Sequence, residues 1–213
     1  MIKRSIQNLN LFEIYDEITS KDCYGCDQEW YRTKWQRLSG CGPTVATTIL
    51  YYLRRSRPAS GPDNSPLNRS GCLSLMEEVW QYVTPKLSGI PTTKMFYDDV
   101  LAYAKAKALN LKLDVIDIPG NRSLRPEFRR LLMFLADALR SDAPIAFLNL
   151  NNGDEKQLDS WHWVTIISLE YAEDESTAFT EILDEGIIKK INLAQWFQTT
   201  TLGGGFVSIS QPQ

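Results

Sequence analysis

The sequence predicts an α+β fold with a mainly helical first half and a second half of antiparallel strands. Before about residue 142, apolar residues recur at helical spacing, as do Phe96, Val100 and Tyr103. After residue 143, short apolar segments follow one another at the close spacing that is typical of antiparallel strands. We therefore expect a single domain of 213 residues, with a helical lobe over 1–142 and a sheet lobe over 143–213.

The first half begins with a segment of mixed periodicity and continues with four helices. Residues 6–20 predict a short helix or an extended arm, and residues 21–40 predict a polar, aromatic loop. Pro43 suits the first turn of a helix. Residues 57–66 predict a loop because proline, glycine and serine are frequent there. Pro85 ends the predicted helix that precedes this proline, Leu73–Tyr82. The predicted helices are Gly42–Arg55, Leu73–Tyr82, Pro91–Ala108 and Pro126–Arg140, and alternating apolar residues predict one strand at Leu111–Ile118.

The second half contains short strands separated by turns. Turn signals stand at residues 151–155 and at Gly186, and the glycines at 203–205 precede the last strand. The predicted strands are Pro144–Leu150, Trp161–Tyr171, Ala178–Leu183, Gly186–Ile191 and Phe206–Ser210, with one helical turn at Leu193–Phe197.

Cys41 lies in a segment of small residues, Ser-Gly-Cys-Gly-Pro, directly before the first apolar helix. The start of a helix presents unpaired N–H groups and the positive end of the helix dipole. This environment favours the thiolate, which is the nucleophilic form of a cysteine. Gly40 and Gly42 place no side chain beside the sulfur, so we expect a substrate to reach it. The alternative is a buried, unreactive cysteine at the start of a helix.

His162 is the one histidine of the chain and stands at the start of a predicted strand. A cysteine nucleophile needs a base, and the base needs a group that orients it. His162 is the candidate base, and Asp184, at the end of the next strand, is the candidate orienting acid. We expect Asp184 to accept a hydrogen bond from Nδ1 of the imidazole, which would turn Nε2 toward the sulfur. The alternative is a histidine that packs between Trp161 and Trp163.

Together these segments resemble the papain-like cysteine peptidases, in which a cysteine at a helix start is followed by a histidine at a strand start and then by an acid or amide. The motifs are similar to those of the bacterial double-glycine leader peptidases and their stand-alone relatives. The similarity rests on residues 39–44, 162–167 and 182–185, and it covers the chain from about Trp30 onward. It implies a papain-like fold with the cleft between the two lobes.

The resemblance also implies a glutamine that helps to bind the oxyanion formed when a carbonyl is attacked. Gln36 is the candidate because it stands five residues before Cys41. The family more often places this glutamine one residue further away, and Gln28 is the second candidate.

Aromatic residues near the two halves of the site are candidates for binding the substrate. Trp161, Gly40 and Trp35 are assigned this role. Alternatively, Trp35 and its neighbours Trp30 and Tyr31 anchor the predicted loop to the core.

The sequence therefore predicts a papain-like thiol hydrolase, either a cysteine peptidase or an amidase. It would act on a peptide or amide bond through a thioester at Cys41. An acyltransferase or transpeptidase, in which an amine or thiol resolves the thioester, is an alternative on the same site. A catalytically idle domain that binds a peptide is another. No cofactor is expected for this chemistry.

Cys23 and Cys26 form a C-x-x-C pair that the predicted site does not use. One reading is half of a structural zinc site, but no second C-x-x-C supplies the other two ligands. A redox pair would stand between a strand and a helix, and two unrelated loop cysteines are the third reading.

The formal net charge of −3 argues against a nucleic-acid-binding protein, whose charged residues would be clustered and basic. The first residues carry positive charge, but no apolar run follows them, and no later window is long and apolar enough to cross a membrane. We expect a cytoplasmic protein, or one exported without a visible signal. The sequence does not predict the oligomeric state.

Overall fold

The structure is a computed structural model and describes residues 1–56 and 66–212. The loop predicted over residues 57–66 therefore lies almost entirely outside the described residues. The described strands are β1 (Ile2–Ser5), β2 (Glu13–Asp16), β3 (Lys21–Tyr24), β4 (Lys112–Pro119), β5 (Ile145–Asn149), β6 (His162–Tyr171), β7 (Ala178–Asp184), β8 (Ile187–Asn192) and β9 (Gly203–Ser210).

Four of the described helices begin at polar residues whose side chains cap them. Thr33, Asn68, Thr92 and Asn192 each accept a hydrogen bond from a backbone N–H in the first turn of the helix that follows. The helices are α1 (Lys34–Ser39), α2 (Cys41–Ser56), α3 (Arg69–Trp80), α4 (Thr93–Ala106), α5 (Phe128–Arg140) and α6 (Leu193–Thr199).

One antiparallel sheet carries most of the strands. Its order is β4-β9-β5-β6-β7-β8, and β1 pairs with β6 beyond the end of β5. The predicted antiparallel sheet is confirmed. The predicted separation of the chain into a helical first half and a sheet second half is too simple. Strands β1 and β4 come from the first 142 residues and lie in the same sheet, because their backbone groups pair with β6 and β9.

Residues 6–40 differ most from the sequence-based prediction. Residues 6–20 form a 3-10 turn at Leu9–Phe12 followed by β2, in place of a helix or an arm. The predicted loop at 21–40 contains β3, a 3-10 turn at Gln28–Trp30 and helix α1. These elements form because β2 and β3 pair as a hairpin and because Thr33 caps α1.

Helix α2 lies in the core, and the aromatic residues of the sheet pack around it and its neighbours. All α2 residues from Gly42 to Leu53 are buried, and α2 contacts β6. A helix that is apolar on most sides is typical of a protein interior. Phe96 stacks on Trp163 with ring centroids 4.4 Å apart, which joins α4 to β6. In the part of the chain that the structure describes, no helix has the length and apolar character needed to cross a membrane.

We predict that Arg125→Met lowers the free energy of unfolding. The Arg125 guanidinium donates to the carbonyl oxygens of Pro119 (2.8 Å), Gly120 (3.0 Å), Thr200 (2.6 Å) and Phe197, and so ties the end of β4 to α6. Losing charge-assisted hydrogen bonds to several partly buried carbonyls should cost about 2–4 kcal/mol. Urea denaturation measures this loss. Arg122→Met, at an exposed neighbouring position, is the control, and equal stability of the two variants would contradict the prediction.

Candidate active site

Cys41 is the first residue of α2 and follows α1 with only Gly40 between the two helices. The amide of Thr44 donates to the Gly40 carbonyl at 2.9 Å, so the new helix begins at once. A Cβ on Gly40 would lie 2.7 Å from the Tyr31 ring, and one on Gly42 would lie 2.7 Å from Cδ1 of Ile90. Both glycines are buried, so packing requires them. The role of Gly40 in substrate access, which the sequence indicates, is therefore not needed to explain this glycine.

His162 is the first residue of β6 and lies opposite Asn149 of β5 in the sheet register. Asn149 is fully buried, and its Nδ2 donates to the carbonyl oxygen of Asp159 at 2.7 Å. Its Oδ1 accepts a hydrogen bond from Trp196 Nε1 at 2.8 Å. The side chain of Asn149 therefore fixes the turn that leads into His162.

Asp184 ends β7 and is joined to β8 by a two-residue hairpin turn. Glu185 and Gly186 both have positive φ, at 53° and 73°, as a type I′ hairpin turn requires. Asp184 Oδ1 lies 2.7 Å from His162 Nε2, and Asp184 Oδ2 accepts a hydrogen bond from Lys189 Nζ at 2.8 Å. Both carboxylate oxygens of this buried acid are therefore bound.

The geometry reverses the predicted orientation of the imidazole ring. The sequence analysis expected Nδ1 to face Asp184, but Nε2 does so. Cys41 lines the same small cavity and raises the pKa of His162, and Nδ1 is the ring nitrogen that remains to face it. The ring turns this way because Asp184 approaches from β7, beside β6, whereas Cys41 approaches from α2.

The electrostatics favour the charged forms of His162 and Asp184. Burial lowers the pKa of His162, but its hydrogen bonds to Asp184 and Cys41 and the charges of those groups outweigh burial and raise this pKa to about 10. Burial likewise opposes ionisation of Asp184, but the bonds from His162 and Lys189 hold its pKa below the ordinary value. With the His162 pKa raised and the Asp184 pKa lowered, the favoured state is an imidazolium that lies between a carboxylate and the Cys41 sulfur.

Lys189 is a site residue that the sequence analysis missed. Its side chain is mostly buried, and its ammonium also lies 3.0 Å from Glu185 Oε2. These acids raise the pKa of Lys189 although burial opposes its charge. The pattern Asp-Glu-Gly-Ile-Ile-Lys gives a lysine three residues beyond a tight turn, and hairpin pairing could have suggested that it folds back on the acid.

A small cavity of about 20 Å³, roughly the space of one water molecule, lies between α2 and strands β6 and β7. Cys41, His162, Asp184 and Gln28 all line it. The structure thus brings the three predicted residues to one place, together with the second candidate for the oxyanion.

Gln36 does not line this cavity, and its side chain has another role. Its Oε1 accepts hydrogen bonds from the backbone N–H of Thr33 at 3.2 Å and from the Thr33 hydroxyl at 2.9 Å, as part of the capping box of α1. Gln28 Nε2 donates to the Arg37 carbonyl at 3.0 Å, which leaves its second amide hydrogen available. The five-residue spacing does not show that Gln36 lies in a helix, α1, directly before Cys41.

A larger groove of about 480 Å³ opens from Cys41 on another side. Trp35 and Trp161 line it, as predicted for substrate-binding residues, and both indoles are largely exposed. Trp30 and Tyr31 are instead buried in the core, where they anchor the segment before α1. The groove, called the apolar groove below, is also lined by Leu38, Leu87, Ile90, Pro91, Leu148 and Leu150.

The four cysteines are free thiols in different surroundings. Cys26 is hydrogen-bonded to Cys72, and that bond together with burial raises the pKa of Cys72 well above its ordinary value. Cys23 lies against Gly186, and burial and neighbouring acids raise its pKa. Among the described residues, no group of three or more His, Cys, Asp or Glu side chains is placed to hold a metal ion.

No family model and no curated protein matches the chain. The chain is similar to the crystal structure of UfSP from C. elegans, with a TM-score of 0.56 and 13% sequence identity over 100% of this chain and 35% of that one. It thus spans about a third of that chain. At this level of identity the similarity is one of fold.

We predict that His162 titrates with a midpoint of about 10. The chain has one histidine, so NMR of a sample with labelled imidazole gives one Cε1–H resonance to follow against pH. Cys41→Ala should lower the midpoint because it removes one hydrogen-bond partner. Since the folded pKa exceeds the ordinary 6.5, the stabilisation from this charge is full below about pH 6.5 and is lost as pH rises through 10. A midpoint at or below 6.5 would contradict the ion-paired geometry.

Proposed function

We propose that this chain is a papain-like thiol hydrolase that cleaves a peptide or amide bond through a thioester at Cys41. One observation carries the proposal: the single histidine lines one small cavity with Cys41, which raises the pKa of the imidazole, and its Nε2 lies 2.7 Å from a buried carboxylate. This is the arrangement of nucleophile, base and orienting group that nucleophilic catalysis needs. The shared fold with UfSP is consistent with it.

The proposed reaction has two halves. The Cys41 sulfur attacks the carbonyl carbon while His162 holds the thiol proton, and a tetrahedral oxyanion forms. When the C–N bond breaks, His162 gives that proton to the departing amine and the thioester remains. Water then attacks the thioester, giving a proton to His162, and the C–S bond breaks to release the acid and regenerate Cys41.

Asp184 and Gln28 have supporting roles in this proposal. Asp184 holds the imidazole ring through Nε2 and stabilises the imidazolium, and Lys189 holds Asp184 in turn. Gln28 replaces Gln36 as the side-chain donor to the oxyanion, because Gln28 lines the small cavity with Cys41. Backbone N–H groups at the start of α2 supply the other donors. The resemblance to double-glycine leader peptidases rests on the sequence motifs alone, and no comparison supports it.

We expect brief treatment of the folded, reduced protein with an epoxysuccinyl peptide to give one covalent adduct, on Cys41. Cys26 and Cys72 are buried, and the pKa values of Cys23 and Cys72 are raised, so these thiols should react slowly. Mass spectrometry of the intact protein and of its peptides counts and locates the adduct. Cys41→Ser is the control and should give none. Equal labelling of several thiols, or none in folded protein, would refute an activated Cys41.

Gln28→Ala and Gln36→Ala form a matched pair that tests the oxyanion assignment. Acylation of Cys41 by p-nitrophenyl acetate passes through an oxyanion, whereas alkylation by iodoacetamide does not. Gln28→Ala should slow acylation by about 10²–10³-fold, the usual effect of losing one such donor, and should leave alkylation nearly unchanged. Gln36→Ala should change neither rate. If only Gln36→Ala slowed acylation, the assignment would be wrong.

A further inference from the structure

Trp161, directly before His162, has a backbone conformation that is costly for its residue type. Its φ is 57°, in the left-handed region that is unfavourable for bulky L-residues. Six non-glycine residues among those described have positive φ, and Trp161 is the one aromatic residue among them. Such strain persists where the surrounding structure enforces it, and it is concentrated at functional sites.

Hydrogen bonds of the two residues before Trp161, and strand pairing of His162 after it, hold this conformation. Asn149 holds the Asp159 carbonyl at 2.7 Å, and the Ser160 hydroxyl donates to Asn152 Oδ1 at 2.9 Å. The indole gains little burial in exchange, because 57% of Trp161 is exposed. Core packing therefore does not account for the strained tryptophan.

The indole instead lines the apolar groove beside Cys41. None of the thirteen residues that line this groove is charged. Leu87 is 97% exposed and stands in the tight turn between Lys86 and Gly89, where it borders the groove. Leu38, which is 71% exposed, borders it from α1. The volume of about 480 Å³ falls in the range of ligand sites, roughly 300–1,000 Å³.

Cys41 lines both this groove and the small cavity that holds His162 and Asp184. A molecule bound in the groove would therefore lie beside the reacting sulfur. Apolar, uncharged walls favour the binding of apolar groups. A charged group would lose its hydration there without gaining a compensating partner, so its binding is unfavourable.

We propose that the apolar groove binds uncharged, apolar side chains next to the bond that Cys41 attacks, and that Trp161 is the residue that selects them. This rests on the proposed function of Cys41. The strained turn holds the indole at the edge of the groove, where it covers the apolar part of the substrate. Substrates with acidic or basic residues at these positions are excluded.

The test compares two alkylating probes with the same reactive group, iodoacetamide and N-benzyliodoacetamide. In the unmodified protein the benzyl probe should alkylate Cys41 at least tenfold faster, as second-order rates from mass spectrometry. Trp161→Asn should reduce this ratio about tenfold. Because asparagine tolerates a positive φ, the variant should melt at the same temperature or higher, whereas a structural role would lower it.

Leu124→Ser is the matched control, since Leu124 is 68% exposed and does not line the groove. It should leave the ratio unchanged, and Leu87→Ser should reduce it. A ratio near one in the unmodified protein, or a Trp161→Asn protein with an unchanged ratio, overturns the groove proposal alone. A Cys41 that iodoacetamide does not alkylate overturns both this proposal and the proposed function.

Discussion

The packing of helix α2 against strand β6 brings Cys41 to His162, and the candidate site depends on it. Twelve of the sixteen α2 residues are buried, so the helix cannot slide or rotate without exposing apolar surface and opening voids. The sulfur is therefore positioned by the core. The abrupt junction at Gly40 adds to this, because the Tyr31 ring leaves no room for a side chain.

The charges beside the sulfur are stable only as a group. A buried carboxylate alone would shift its pKa upward or destabilise the fold. Asp184 is ionised because His162 and Lys189 each bind one of its oxygens. The type I′ turn after β7 supplies this arrangement, since it returns β8 alongside β7 and sets the Lys189 ammonium 2.8 Å from the Asp184 carboxylate. A short hairpin thus contributes both the acid and its counterion.

Hydrophobic periodicity predicted the helices and strands that bury one apolar face. It did not predict the elements that form through strand pairing or helix capping. Helices α2 to α5 and strands β4 to β9 were predicted within a few residues. Helix α1 was missed, although Thr-Lys-Trp-Gln at residues 33–36 is a capping-box sequence. That omission also bears on Gln36, because a helix changes which residues near Cys41 can face the sulfur, and Gln36 lies in the capping box of α1. Spacing likewise paired Cys26 with Cys23, whereas the fold brings it to Cys72. The ring orientation of His162 depends on contacts between three elements, which no local pattern contains.

Departures from local preference meet at His162. A tryptophan with positive φ precedes it, and a buried acid and a mostly buried lysine lie behind it. Helices α1, α3, α4 and α6, by contrast, begin at the side-chain caps that suit their sequences. A chain that selection shaped only for stability would exchange such a tryptophan for glycine or asparagine and such an ion pair for apolar residues. Their presence around one histidine is an argument for chemistry at this site that does not depend on any resemblance to other proteins.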